Sequence, residues 1–98
     1  MGGTHVTAFF KAPDNVDVVK SGSAIMNALL DAEHNDPAVT DGTVSVDANM
    51  RIVEVEAYAP GLMKAQGEPL IVDRIDQVMR ETVGLTDERT DRRVVEYA

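Results

Sequence analysis

The chain has 98 residues, of which 44% are hydrophobic, and its 17 acidic and 9 basic side chains give a formal charge of -8 at pH 7. We expect one domain over residues 1–98, with enough apolar surface for a core of its own, and no nucleic-acid partner, because negative charge repels phosphate. The absence of cysteine and of any run of about eighteen apolar residues argues against disulfides, Cys-based zinc sites, a signal peptide and a membrane span, and favours a cytoplasmic location.

The first part of the chain predicts a strand followed by a helix. Residues 4–12, THVTAFFKA, alternate between two faces as a strand does. An amphipathic helix is predicted over residues 15–33, with Asp14 or Asn15 as its N-cap. The glycine within Ser21–Ser23 costs roughly 1 kcal/mol relative to alanine inside a helix, so a later helix start stays open.

The segment GTVSVDANMRIVEVEAYAPG contains two alternating runs and predicts a β-hairpin. Pairing Val44 with Val55 and Val46 with Val53 places four valines together on the face toward the core. Both a two-residue turn and a four-residue loop from Ala48 to Arg51 give this register.

A second amphipathic helix is predicted to begin at Pro69 and to end at Gly84 as its C-terminal cap. Residues 86–93, TDERTDRR, are charged and predict a linker. Residues 94–98 could form a short final strand or a flexible tail.

The predicted order is strand, helix, strand, strand, helix and a final strand or tail. In this order the chain resembles the ferredoxin-like superfold, an α+β split β-α-β sandwich whose antiparallel sheet carries two helices on one face. The segment HNDPAVTDGTVSVDANMRIVEVEAYA also resembles small acidic proteins of unknown function from actinobacteria and their phages. Such a likeness assigns no activity by itself.

The resemblance to this superfold implies that the first and third strands lie side by side and that one face of the sheet is open. We interpret the residues on this face as candidates for an interface or a ligand site: His5, Thr7, Phe9, Ile52, Glu54, Glu56 and Tyr58. We expect a homodimer, because closed two-fold symmetry is the commonest assembly of soluble oligomers, and we also consider a protein partner.

No catalytic residue, metal ligand or cofactor is predicted. The cluster of Asp31, Glu33, His34 and Asp36 matches no known metal-site spacing. The sequence therefore favours a self-associating or partner-binding module of unknown process over an enzyme.

The alternative is a small-molecule-binding protein or a cofactor-independent enzyme that uses the open sheet face of a dimer. The nearest enzymatic analogue by fold is a cofactor-independent oxygenase of the dimeric α/β-barrel type. This chain departs from that type because it has no Trp and only two His.

Overall fold

The computed structural model describes residues 2–83 and 89–97, which form six elements in the order β-α-β-β-α-β. The elements are β1 (Gly3–Lys11), α1 (Val18–Asn35), β2 (Thr40–Asp47), β3 (Ile52–Pro60), α2 (Lys64–Val83) and β4 (Arg89–Tyr97). The strands form one antiparallel sheet in the order β2-β3-β1-β4. This architecture confirms the predicted α+β fold of the ferredoxin-like type.

The core lies between the sheet and the two helices. Alternate residues of the central strands β1 and β3 point into it, and Val6, Phe10 and Val55 are fully buried there. The helices contribute the aliphatic side chains Ile25, Leu29, Ile71, Ile75 and Met79. Both helices cover the same face of the sheet, so the alternate residues of the strands, which point to the other face, are not covered by either helix.

Helix α1 begins three residues later than predicted, because a turn precedes it. In this turn the backbone N–H of Val16 donates to the carbonyl oxygen of Pro13 at 3.1 Å. The guanidinium of Arg51, from the β2–β3 loop, donates to the carbonyl oxygens of both residues. The N-cap is Asp17, whose carboxylate accepts from the backbone N–H of Lys20 at 3.1 Å. The prediction of Asp14 or Asn15 as the N-cap was wrong, because Arg51, which is distant in sequence, holds these residues in the turn.

The valine register of the β2–β3 hairpin is confirmed, with Val44 opposite Val55 and Val46 opposite Val53. The connection is the four-residue loop. The carboxylate of Asp47 accepts hydrogen bonds from two backbone N–H groups of this loop, at 3.0 and 3.1 Å. These bonds satisfy donors that no longer belong to the strand ladder.

Helix α2 begins at Lys64, five residues before the predicted start at Pro69, which lies inside the helix. The carbonyl oxygen of Met63 accepts from the backbone N–H of Gly67 at 2.7 Å. A Cβ added at Gly67 would lie only 2.9 Å from the side chain of Thr4, so the first turn rests directly on the sheet. The prediction that α2 begins at Pro69 was therefore wrong. Close packing on β1 extends the helix toward its N-terminus, upstream of the proline.

Strand β4 begins at Arg89, within the segment predicted as a linker, and pairs antiparallel with β1 over residues 89–97. The final strand is therefore longer than the segment 94–98 that the sequence offered. The linker residues 86–88 and the cap at Gly84 lie outside the described residues. Backbone pairing explains the longer strand, since β4 supplies partners to the second edge of β1 whatever the side chains are.

Candidate functional site

All seven predicted site residues lie on the sheet face opposite the helices. This placement follows from strand alternation, because their neighbours in sequence point into the core. The pairing of β1 with β3 sets His5 opposite Tyr58, Thr7 opposite Glu56, Phe9 opposite Glu54, and Lys11 opposite Ile52. We call this surface the open face.

A hydrogen-bonded group joins His5 to two of these residues. Nε2 of His5 lies 2.8 Å from Oε2 of Glu56 and 3.2 Å from Oγ1 of Thr7. The side chains of His5 and Glu56 are 22% and 28% exposed, so the pair is partly shielded from water but still reachable. The contact with Glu56 fixes the edge of the imidazole ring.

The phenol ring of Tyr58 fixes the plane of the same imidazole. The ring centroids of His5 and Tyr58 are 4.4 Å apart, and the two planes differ by 8°. Aromatic pairs at this separation are worth about 0.5–1.5 kcal/mol beyond the area that they bury. His5 is thus held by an acceptor at its edge and by a ring against its face.

A shallow recess of about 310 Å³ lies toward the other end of the open face. Its lining residues are Phe9, Ser45, Val46, Asp47, Ile52 and Glu54. This volume is at the lower end of the roughly 300–1,000 Å³ that is usual for small-molecule sites. Phe9 is four residues from His5 along β1, about 13 Å at the usual strand rise, so the recess and the His5 group are separate parts of one surface.

Val95 on β4 extends the open face and was not among the predicted site residues. It pairs with His5 in the β1–β4 register and is 43% exposed. The apolar residues of RRVVEYA were a usable signal for a strand. The sequence could not place Val95, because nothing local specifies which strand this segment pairs with.

The polar cluster at the end of α1 makes an ion pair with α2. Asp36 lies 3.5 Å from the guanidinium of Arg74, which also donates to the carbonyl oxygens of Asp36 and Val39 at 2.8 and 3.1 Å. These contacts tie α2 to the α1–β2 connection beside a cleft of about 450 Å³ between the helices. In the described part of the chain, no three His, Asp or Glu side chains converge as metal ligands.

Comparison with known proteins identifies the fold but no family. No protein-family model matches the sequence, and no curated protein matches it either. None of the helices in residues 2–83 has the length and apolar character needed to cross a bilayer.

Several solved structures are similar. A dimeric ferredoxin-like protein of unknown function from Thermobifida fusca is 21% identical, with a TM-score of 0.54 over 100% of this chain and 91% of that one. A conserved protein from Methanosarcina mazei is 14% identical, with a TM-score of 0.55 over 99% and 92% of the two chains.

A candidate antibiotic biosynthesis monooxygenase from Chloroflexus aurantiacus is 8% identical, with a TM-score of 0.57 over 95% and 90% of the two chains. Identities this low establish a shared fold and carry no activity across. The comparisons therefore support the ferredoxin-like architecture, while the chemistry has to be argued from the open face.

Proposed function

We propose that this chain is a self-associating module that forms a homodimer through the open face of its sheet. The observation that carries the proposal is the unequal cover of the two faces. Both helices pack on one face, whereas no helix or strand in residues 2–83 and 89–97 packs over the other. Yet the open face presents the aromatic and aliphatic side chains of Phe9, Ile52, Tyr58 and Val95.

The composition of this surface suits a protein interface. Removing apolar area from water contributes about 25 cal/mol per Å². Tyr and Phe are enriched in the buried centres of interfaces, where they supply large contact areas. Three of the four apolar side chains of the open face are already partly buried and Val95 is 43% exposed, so a partner would cover a packed surface and not loose side chains.

The acidic residues of the open face are compatible with burial only where they have partners. Glu56 already has one in His5, at 2.8 Å, which lowers the cost of removing its carboxylate from water. Glu54 lies opposite Phe9, at the margin of the recess. We therefore place the centre of the interface on the strand pair β1–β3, with Glu54 toward its rim.

The dimeric state of the similar Thermobifida fusca protein supports self-association of this chain. A two-fold axis would bring the open face of one copy against the same face of another, as closed symmetry requires. Pairing of the open faces would also enclose the recess and the His5 group between two sheets.

Solution mass by light scattering tests the proposal. We expect the wild type to be a dimer and the double variant Phe9→Glu/Tyr58→Lys to be a monomer that keeps its circular dichroism spectrum, because charges would replace the two rings. The matched control is Val19→Glu/Leu30→Lys, which changes two exposed apolar residues of α1 that are 61% and 49% exposed. This control should remain a dimer.

Two results would contradict the open-face dimer. A monomeric wild type would redirect the search to an external protein partner. Dissociation of the α1 control, with the open-face variant still dimeric, would move the interface to the helices.

A second candidate function is a small-molecule-binding protein or a cofactor-independent enzyme on the same face. The fixed imidazole of His5, between Glu56 and Tyr58, favours it, because a purely adhesive surface does not need an oriented base. Here His5→Ala or Glu54→Gln would abolish ligand turnover and leave the assembly intact. For an interface alone, both changes would be tolerated.

Several finer predictions belong with this proposal. They are the organisation as one domain, the cytoplasmic location, a protein partner besides a second copy, and kinship with small acidic proteins of actinobacteria or their phages. One similar structure comes from Thermobifida fusca and shares the fold at 21% identity. Fractionation of the host cells would test the location, and co-purification with the native protein would test for a partner.

A further inference from the structure

We propose that Nδ1 of His5 is a proton acceptor, oriented by Glu56, for a small ligand that is not an anion and carries an acidic proton. This inference rests on the second candidate function and deepens it, but it does not require the dimer. Three features of the open face lead to it: the hydrogen bond at Nε2, the accessibility of Nδ1 and the stacked ring of Tyr58.

The hydrogen bond to Glu56 assigns the tautomer of His5. An ionised carboxylate only accepts hydrogen bonds, so the 2.8 Å contact places the imidazole hydrogen on Nε2. Oγ1 of Thr7, at 3.2 Å from the same nitrogen, can share that hydrogen as a second acceptor. In the neutral ring, Nδ1 then carries the free lone pair.

Nδ1 of His5 belongs to a side chain that is 22% exposed. Both hydrogen bonds of the His5 side chain within the described residues are made by Nε2, which leaves Nδ1 without a partner there. In the same part of the chain, the only fully buried side-chain nitrogen or oxygen without a hydrogen-bond partner is Nε of Arg51. Because Nδ1 of His5 also lacks such a partner and is not that atom, it is not fully buried.

The stack on Tyr58 and the bond to Glu56 together keep this nitrogen in one orientation. A partial turn of the imidazole would break the parallel contact of the rings, whose centroids are 4.4 Å apart, and a half-turn would carry Nε2 away from the carboxylate of Glu56. A base held by a carboxylate on one nitrogen and free on the other has the arrangement by which proton acceptors are activated in enzymes. Here Glu56 is a positioning residue, and His5 would touch the ligand.

The charges of the open face define the ligand class. The carboxylates of Glu54 and Glu56, in a chain of net charge -8, disfavour an anion. The ring of Tyr58 favours a flat molecule that can lie along it. The ligand is therefore a small, flat compound that is not an anion and carries a weakly acidic C–H or O–H group.

The proton transfer balances without a cofactor. Nδ1 of His5 takes the proton, the electron pair of the broken bond stays on the ligand, and the imidazolium is stabilised by the carboxylate of Glu56. Return of the same proton to another atom of the ligand completes an isomerisation. No oxidant or second reactant is consumed.

Nitrogen-15 NMR tests the tautomer independently of any activity. We expect the neutral ring of His5 to carry its hydrogen on Nε2 in the wild type and in Glu56→Gln, whose side-chain carbonyl still accepts. In Glu56→Leu we expect a mixture of both tautomers. His34, exposed on α1, is the internal reference. A hydrogen fixed on Nδ1 in the wild type would overturn the inference.

The probe 5-nitrobenzisoxazole tests the base itself. Removal of its C–H proton breaks the N–O bond and releases a coloured phenolate, so the rate is followed by absorbance. His5→Ala should lower the protein-catalysed rate at least about tenfold, since a positioned base contributes roughly 10²–10⁴-fold. His34→Ala, the matched change at the other histidine of the chain, should leave the rate unchanged.

The outcomes separate this inference from the functions proposed above. Equal rates for the wild type and His5→Ala would overturn it. A loss in Glu54→Gln but not in His5→Ala would assign the base to Glu54, which overturns the inference and keeps the second candidate function. A monomeric wild type with the Nε2–H tautomer and a His5-dependent rate would support the inference and overturn the dimer alone.

Discussion

The two faces of the sheet use the same strands for opposite purposes. Toward the helices, Phe10 and Val55 are fully buried among aliphatic side chains. Their neighbours in sequence, Phe9 and Glu56, lie on the open face and remain partly exposed. Alternation thus separates a face that stabilises the fold by filling space from a face whose side chains are oriented by specific contacts. Substitutions one residue apart should therefore have different consequences.

The neighbouring phenylalanines of β1 give the largest expected contrast. Phe10→Ala should lower the free energy of unfolding by about 3–5 kcal/mol at every protein concentration, because it opens a cavity in the core. Phe9→Ala should cost less than about 1 kcal/mol in the dilute protein, and more at concentrations where the dimer forms. Urea unfolding at two protein concentrations measures both. Similar losses for the two variants would contradict the division between the faces.

On the face covered by the helices, the close contact between Gly22 of α1 and Val46 of β2 predicts a large effect for a small substitution. A Cβ at Gly22 would lie 2.5 Å from Cγ2 of Val46, closer than two carbons can approach. We expect Gly22→Ala to destabilise the protein by about 1–3 kcal/mol, although alanine is the better helix former. The exposed change Ser23→Ala should have little effect.

A double-mutant cycle tests whether this close approach is the cause. Val46→Ala removes the methyl group that meets the new Cβ, so Gly22→Ala should cost much less in that background. Thermal or urea unfolding of the four proteins gives the coupling energy. Strictly additive losses would mean that the backbone of α1, and not the contact with Val46, requires glycine.

The smallest effect is expected at the His5–Glu56 pair. Because both side chains are partly exposed, at 22% and 28%, Glu56→Gln should change the free energy of unfolding by less than about 1 kcal/mol. Urea unfolding of the dilute protein measures it. A loss above about 2 kcal/mol would show that the open face also supports the fold, which would weaken the contrast between the faces.

Much of the fold followed from local patterns. Alternation in β1 and in the hairpin predicted the strands, and the valine pattern predicted the register of Val46 with Val53. The predictions that were wrong involve distant contacts. Arg51 holds the segment before α1 in a turn. The first turn of α2, which precedes Pro69, packs on the sheet through Gly67. Strand β4 depends on its backbone pairing with β1, because the charged residues of this segment do not predict a strand by themselves.

The sequence by itself determined the order of the first five elements and which residues of β1 and β3 share the open face, because side-chain direction in a strand depends only on the count of residues. The tertiary structure alone decided that Nε2 of His5 meets the carboxylate of Glu56, 51 residues away, and that the ring of Tyr58 lies parallel to the imidazole. Such contacts depend on the register and rotamers of two strands that the chain brings together only on folding. Alternation can place residues on a face, but it cannot set the distances of about 3 Å on which hydrogen bonding depends.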